Sequence, residues 1–156
     1  MKKIVLLLVS LVGMITLSGA QDAMETVMEG RARELYRVLG LTDKAQYRKF
    51  MQENYTKTFL EKPVKMNRVV SDSDGNNSSA TQEDKSKDVL EAKTQMYGRL
   101  HDDFGGSKMV SLKQKDNKVD MVLRSTSGLT GTFIFTFENS KPYLIDGMGV
   151  QAEMEN

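Results

Sequence analysis

The stretch YGRLHDDFGGSKMVSLKQ, residues 97–114, contains the point at which the spacing of apolar residues changes. Before Gly105 the apolar residues recur every three or four positions, which is typical of an amphipathic helix. After Gly106 they alternate with polar residues, which is typical of a β-strand. The sequence therefore predicts a helical part followed by a β part, joined at a double glycine.

Three amphipathic helices are predicted in the helical part, each with an apolar stripe at three- and four-residue steps. The first covers residues 22–40. The second begins at the capping residues Thr42 and Asp43, and Pro63 closes it. The third runs from about residue 83 to residue 104 and includes the start of the quoted stretch.

Residues 71–85, SDSDGNNSSATQEDK, separate the second and third helices and contain no large apolar side chain. This composition predicts a mobile polar loop. An EF-hand alignment with Gly75 in the sixth position puts Val70 first and Thr81 twelfth, where a bidentate glutamate is required. The alignment fails at both ends, and the sequence predicts no calcium site here.

The β part predicts four strands joined by short turns, with the sequences MVSLKQ, KVDMVLRST, LTGTFIFTFE and KPYLIDGMGVQAE. Consecutive strands with such short connections pair antiparallel. The predicted fold class is α+β, with three N-terminal helices packed on one face of a curled four-stranded antiparallel sheet. Alternation assigns the inner face to Val119, Met121 and Leu123, and to Leu129, Phe133, Phe135 and Phe137.

Residues 1–20 have the order of a secretory signal peptide, in which Lys2 and Lys3 precede an apolar run and small residues end at Ala20. Cleavage there leaves a single domain, residues 21–156, in a periplasmic or secreted bacterial protein without cysteine. It has 20 basic residues (22 less Lys2 and Lys3) against 21 acidic ones. This balance favours neither nucleic acid nor a membrane as partner.

The order of three helices and a meander, with the segments AQYRKFMQENYTKTFLEK, RLHDDFGG and YLIDGMGV, resembles the nuclear transport factor 2-like (cystatin-like) superfamily. Within it, the chain is most similar to accessory domains that accompany β-lactamase-related serine hydrolases in bacteria. The resemblance covers residues 22–152 apart from 64–82, and it implies a cone-shaped domain. Members of this superfamily range from isomerases and dehydratases to docking modules, so the fold implies no one reaction. The hydrolase nucleophile motifs are absent from this sequence.

His101 is the one histidine of the chain, and Asp102 and Asp103 follow it directly. Successive residues of a helix point about 100° apart, so these three side chains cannot share one metal ion. The pattern instead predicts a helix end, with Gly105 or Gly106 in the left-handed conformation and His101 facing unpaired carbonyls. The sequence predicts no metal and no cofactor, and leaves the roles of the two aspartates open.

Asp146 is a candidate general base, because strand alternation places it with Leu144, Met148 and Val150. Burial among apolar side chains makes a carboxyl group more basic, as general-base catalysis requires. The alternative is a bulge at Gly147 that turns Asp146 toward solvent or a backbone turn.

The function favoured by the sequence is a non-catalytic exported module that holds a small apolar or amphipathic ligand, or a protein partner, in its cone. The alternative is a small lyase or isomerase that resembles steroid isomerases, with Asp146 as base. A homodimer through the sheet is also compatible with the pattern. The pocket candidates are Tyr36, Tyr55, Tyr97, His101, Met121, Phe133, Phe135, Asp146 and Met148.

Overall fold

The computed structural model describes residues 22–71, 77–83 and 88–154. The predicted signal peptide lies outside these residues. In the described part of the chain, none of the helices is long and apolar enough to cross a membrane.

Four helices are present in the described residues, one more than the sequence predicts. They are α1 (22–39), α2 (Lys44–Asn54), α3 (Lys57–Glu61) and α4 (Val89–Phe104). The predicted caps at the start of α2 and after α4 are confirmed. The Asp43 carboxylate accepts the backbone N–H of Ala45 at 2.8 Å, and Gly106 has a φ of +80°. Only glycine adopts this φ without steric cost.

The second predicted helix is broken into α2 and α3, which corrects the expectation of one continuous helix. Tyr55 and Thr56 between them are extended, and the Thr56 side chain accepts the N–H of Phe59 to cap α3. The break has a tertiary cause, because the Thr56 N–H donates to the carbonyl of Ile145 at 2.9 Å. The apolar stripe continues through the break, so periodicity alone does not reveal it.

The strands β1 (Lys65–Ser71) and β2 (Asn77–Glu83) form an antiparallel pair. Strand β2 lies within residues 71–85, where the sequence predicts a mobile polar loop. The third predicted helix is correspondingly shorter, because α4 begins at Val89 after its cap Asp88. A hairpin held by backbone hydrogen bonds needs no apolar alternation, which explains why the pattern missed it.

The strands β3 (Lys108–Lys115), β4 (Lys118–Arg124), β5 (Leu129–Phe137) and β6 (Ile145–Met154) form the predicted four-stranded antiparallel sheet, in sequential order. The inner faces of β4 and β5 are as predicted, since their apolar members are buried and Leu129 packs against them. All four helices precede the four-stranded sheet in the chain, and the β1–β2 pair is inserted between α3 and α4. The protein is therefore an α+β domain, whereas the curled cone stays a prediction.

The phase of β6 differs from the prediction because the strand contains a bulge. Thr136 pairs with Gly147 and Phe137 pairs with Ile145, which leaves Asp146 as the extra residue. Ile145 is fully buried beneath the helices, while Met148 and Val150 pair with the buried residues Phe135 and Phe133. The grouping of Asp146 with Leu144, Met148 and Val150 on one continuous face is therefore wrong, because the two-residue alternation is interrupted at the bulge.

The hydrophobic core is one cluster that joins residues of α1, α2 and α4 to the inner face of the sheet. Phe104, at the end of α4, packs edge-on against Phe133 with 5.2 Å between ring centroids. Its ring lies over Gly131 of β5, where a Cβ atom would be 2.6 Å from Cε1. The last turn of α4 thus approaches the sheet at a position that admits no side chain.

Candidate functional site

An apolar cavity of about 570 Å³ lies between α3, the start of β1, α4 and β6. This volume falls within the range of about 300–1,000 Å³ that is common for small-molecule sites. Among the described residues its lining is mainly apolar and includes Phe59, Lys62, Pro63, Val64, Lys93, Met96 and Met148. The sheet contributes Met148 and the helices supply the opposite wall, which places the cavity at an edge of the core.

Lys93 is the unusual residue of this lining, because its side chain is only 3% exposed. It belongs to α4, and its ammonium group donates to the backbone carbonyl of Lys62. The Nζ atom lies 5.1 Å from the centroid of the Phe59 ring, as in a cation–π contact. None of the ion pairs in the described part of the chain includes Lys93. Burial lowers the pKa of this amine.

The hydroxyl groups of Tyr55 and Tyr97 meet behind the cavity wall and are hydrogen-bonded to each other. The Tyr55 hydroxyl also donates to the sulfur of Met148 at 3.3 Å, which links the pair to the lining. Burial raises the pKa of both tyrosines. Both hydroxyls therefore stay protonated near neutral pH and can donate, but Met148 stands between them and the cavity.

Asp146 lies next to the break between α2 and α3. Its carboxylate is half-buried and accepts the Thr56 hydroxyl proton at 2.8 Å. The described lining of the cavity does not include Asp146. Its clearest contact is therefore a structural one, which ties the bulge of β6 to the start of α3.

We expect Thr56→Val to lower the free energy of unfolding by about 1–3 kcal/mol, because the variant loses the helix cap and the Asp146 hydrogen bond together. Thr56 is 6% exposed, so water cannot fully replace these bonds. Thr56→Ser keeps the hydroxyl and is the matched control. Urea denaturation followed by circular dichroism measures both, and equal midpoints for Thr56→Val and the unmodified protein would contradict the assignment.

His101 lies in the last turn of α4 and confirms the helix-end interpretation with one difference. Its Nδ1 atom is 2.7 Å from the carbonyl oxygen of Leu39, so it contacts the final turn of α1 instead of its own helix. Asp102 and Asp103 are exposed. Among the described residues, no three histidine, aspartate or glutamate side chains are grouped as metal ligands.

The nine predicted pocket residues do not form one site. Met121, Phe133 and Phe135 are fully buried in the core, and the Tyr36 hydroxyl donates to the carbonyl of Ser107 at 2.9 Å. Tyr55, Tyr97 and Met148 are brought together, and of the nine only Met148 belongs to the described cavity lining.

Two other clefts have a different character. One, of about 590 Å³, has Lys57, Glu61 and Asp88 among its lining residues, and the other, of about 420 Å³, has Lys44, Arg99 and Asp102. Each of these linings carries both signs of charge. Among the described residues, the cavity beside Lys93 instead combines an apolar lining with positive charge alone, which makes it the best candidate for a selective site.

Sequence reasoning missed Lys93, although a signal for it exists. Lys93 follows Leu90 by three residues and precedes Tyr97 by four, so it lies on the apolar stripe of α4. A lysine in such a stripe either extends its amine to solvent or is held by a specific acceptor. The Lys62 carbonyl is that acceptor, and its position depends on the turn before Pro63, which periodicity does not predict.

Comparison of the chain with protein families, with characterised proteins and with solved structures gave no match. The resemblance to the nuclear transport factor 2-like superfamily therefore stays a prediction.

Proposed function

We propose that this protein is a binding module that holds a small amphipathic molecule in the cavity between α3, α4 and β6. The observation that carries the proposal is an apolar cavity of about 570 Å³ whose wall contains one buried amine. Apolar walls with few, fixed polar groups are characteristic of small-molecule sites. The apolar part of the ligand would contact Phe59, Val64, Met96 and Met148, and its polar end would approach Lys93.

A small ligand is favoured over a protein partner because the recognition groups face inward. The Lys93 side chain is 3% exposed and Val64 is 7% exposed, so neither is presented on an outer surface. We therefore favour a ligand that is narrow enough to enter the cavity over a flat protein surface.

The alternative of a lyase or isomerase with Asp146 as base receives less support. A general base must approach the proton that it removes, within hydrogen-bond reach or through one water. The Asp146 carboxylate accepts a hydrogen bond from Thr56 and is outside the described cavity lining. Binding without chemistry is thus the function that we propose.

Two further parts of the proposal rest on sequence. The lysine, apolar and small-residue order of residues 1–20 supports export. The segments quoted above support a cone-shaped domain of the nuclear transport factor 2-like type, in which the cavity would open beside the sheet.

We expect the uncharged dye Nile red to bind with increased fluorescence, and Met96→Trp to weaken that binding about tenfold or more, because indole fills the cavity. Met96 is half-buried in the lining. Met109→Trp is the matched control, since Met109 is also half-buried but belongs to β3. Circular dichroism and thermal melting establish that both variants are folded. Unchanged dye affinity in a folded Met96→Trp variant would contradict the proposed site.

A further inference from the structure

We infer that the ligand of this cavity is an amphipathic anion whose carboxylate binds the Lys93 ammonium group. The inference rests on the proposed function and adds the chemical class of the ligand. It depends on the contacts of the Lys93 Nζ atom, which belongs to a cavity wall that is otherwise mostly apolar.

The Lys93 ammonium group has more donor capacity than the described residues use. An ammonium group has three N–H donors, and the described residues provide one oxygen acceptor, the carbonyl of Lys62. The Phe59 ring attracts the charge at 5.1 Å but accepts no conventional hydrogen bond. Among the described residues, no oxygen accepts from the other two donors, and a ligand in the cavity would do so.

The charge of Lys93 favours an anion over a neutral head group. A buried charge is costly unless an opposite charge or several hydrogen bonds compensate it. A carboxylate supplies both, because it offers two oxygens to the free donors and carries the opposite charge. A neutral hydroxyl group supplies one acceptor and leaves the charge uncompensated.

The side chain of Lys62 adds to this preference. It also lines the cavity and is exposed, so it contributes positive charge on the solvent side. The described lining contains no acidic residue. A cationic amphiphile would therefore approach two like charges and is expected to be excluded.

The apolar part of the lining determines the rest of the ligand. Phe59, Pro63, Val64, Met96 and Met148 offer carbon and sulfur surface without a further charge. A thioether side chain adapts to ligands of different shape, and two of these five residues are methionines. An unbranched or lightly branched alkyl chain is thus the simplest complement to this surface.

The experiment compares three ten-carbon probes, decanoate, decanol and decyltrimethylammonium, in competition with Nile red at pH 7. We expect decanoate to bind about tenfold or more tightly than decanol, and the cation to bind most weakly. Lys93→Gln should abolish the preference for decanoate while leaving the affinity for decanol nearly unchanged. Lys93→Arg retains the charge and should retain the preference. Lys118→Gln, which removes an exposed lysine of β4, is the matched control.

The possible outcomes separate this inference from the proposed function. Equal binding of decanoate and decanol would overturn the anionic head group and leave the binding module intact. Failure of all three probes and of Nile red would overturn both. If Lys93→Gln does not fold, loss of the preference in a folded Lys93→Arg variant overturns the inference. Binding to phosphatidylglycerol vesicles without binding of free decanoate would also overturn it, because the ligand would then be a membrane surface.

Discussion

Replacement of Gly131 by alanine is expected to lower the free energy of unfolding by about 1–3 kcal/mol, although the substitution adds a single methyl group. The added Cβ atom would lie 2.6 Å from Cε1 and 3.2 Å from Cε2 of Phe104. Phe104 is 2% exposed and its ring packs against Phe133, so it cannot rotate away without disturbing the core. Either the ring leaves its position or β5 moves away from α4.

Gly149→Ala is the matched control for this prediction. Gly149 lies in the neighbouring strand β6, and a Cβ atom built there would meet nothing within 4 Å. Alanine loses less backbone entropy than glycine on folding, so the control should be neutral or slightly stabilising. Equal losses of stability at the two positions would contradict the proposed contact.

Phe104→Leu provides a second test of the same contact. Leucine removes part of the ring that opposes Gly131, so Gly131→Ala should cost less in this background than in the unmodified protein. A double-mutant cycle from urea denaturation yields the coupling energy, which we expect to be about 0.5–3 kcal/mol for groups in direct contact. A coupling energy of zero would mean that the two positions are independent.

Lys93→Met is expected to raise the free energy of unfolding at pH 7 by on the order of 1 kcal/mol, because it removes a buried charge and retains an unbranched side chain. The Lys62 carbonyl loses its donor, which offsets part of this gain. The same variant should lose the preference for decanoate. If Lys93→Met is more stable than the unmodified protein, then Lys93 does not serve folding, and binding is the role that explains its presence.

The gain in stability from Lys93→Met should become smaller as the pH rises. Burial lowers the pKa of Lys93 from its ordinary value of 10.5. Between the lowered value and 10.5 the unfolded chain binds a proton that the folded chain does not bind, so the stability of the unmodified protein gains with rising pH. The Met variant lacks this gain, and the stability difference should shrink from pH 7 to pH 10. Tyrosine titration affects both proteins and cancels in the comparison. A constant difference would contradict the burial of the charge.

The secondary structure was predictable from the sequence wherever burial imposed a repeating pattern. The four strands, the inner face of β4 and β5, and the helix end at Gly105 and Gly106 follow from apolar spacing and from glycine. Where backbone bonds between distant segments determine the geometry, the pattern was insufficient. The break at Thr56 and the β1–β2 hairpin are examples, because neither is accompanied by a change in apolar spacing.

The candidate site was less predictable than the fold for the same reason. Met148 was identified because it lies on an inner face, whereas Lys93 was overlooked because a lysine is ordinarily at the surface. The sequence also places Tyr36 and His101 in a pocket, and each contacts a backbone carbonyl at an element end. His101 does line a cleft, the one of about 420 Å³, but that cleft is separate from the cavity beside Lys93. Residue type alone does not distinguish a ligand-binding hydroxyl or imidazole from one that satisfies the backbone.

The bulge in β6 places one residue, Asp146, outside the regular alternation of the strand. Asp146 has no partner of its own in the ladder, whereas Ile145 and Gly147 on either side pair with consecutive residues of β5. Loss of this position alone would leave Ile145 and Met148 on the inner layer, whereas loss of Gln151 would reverse the orientation of the residues after it. Position 146 therefore admits a deletion without reversing the faces of β6, at the cost of the hydrogen bond to Thr56.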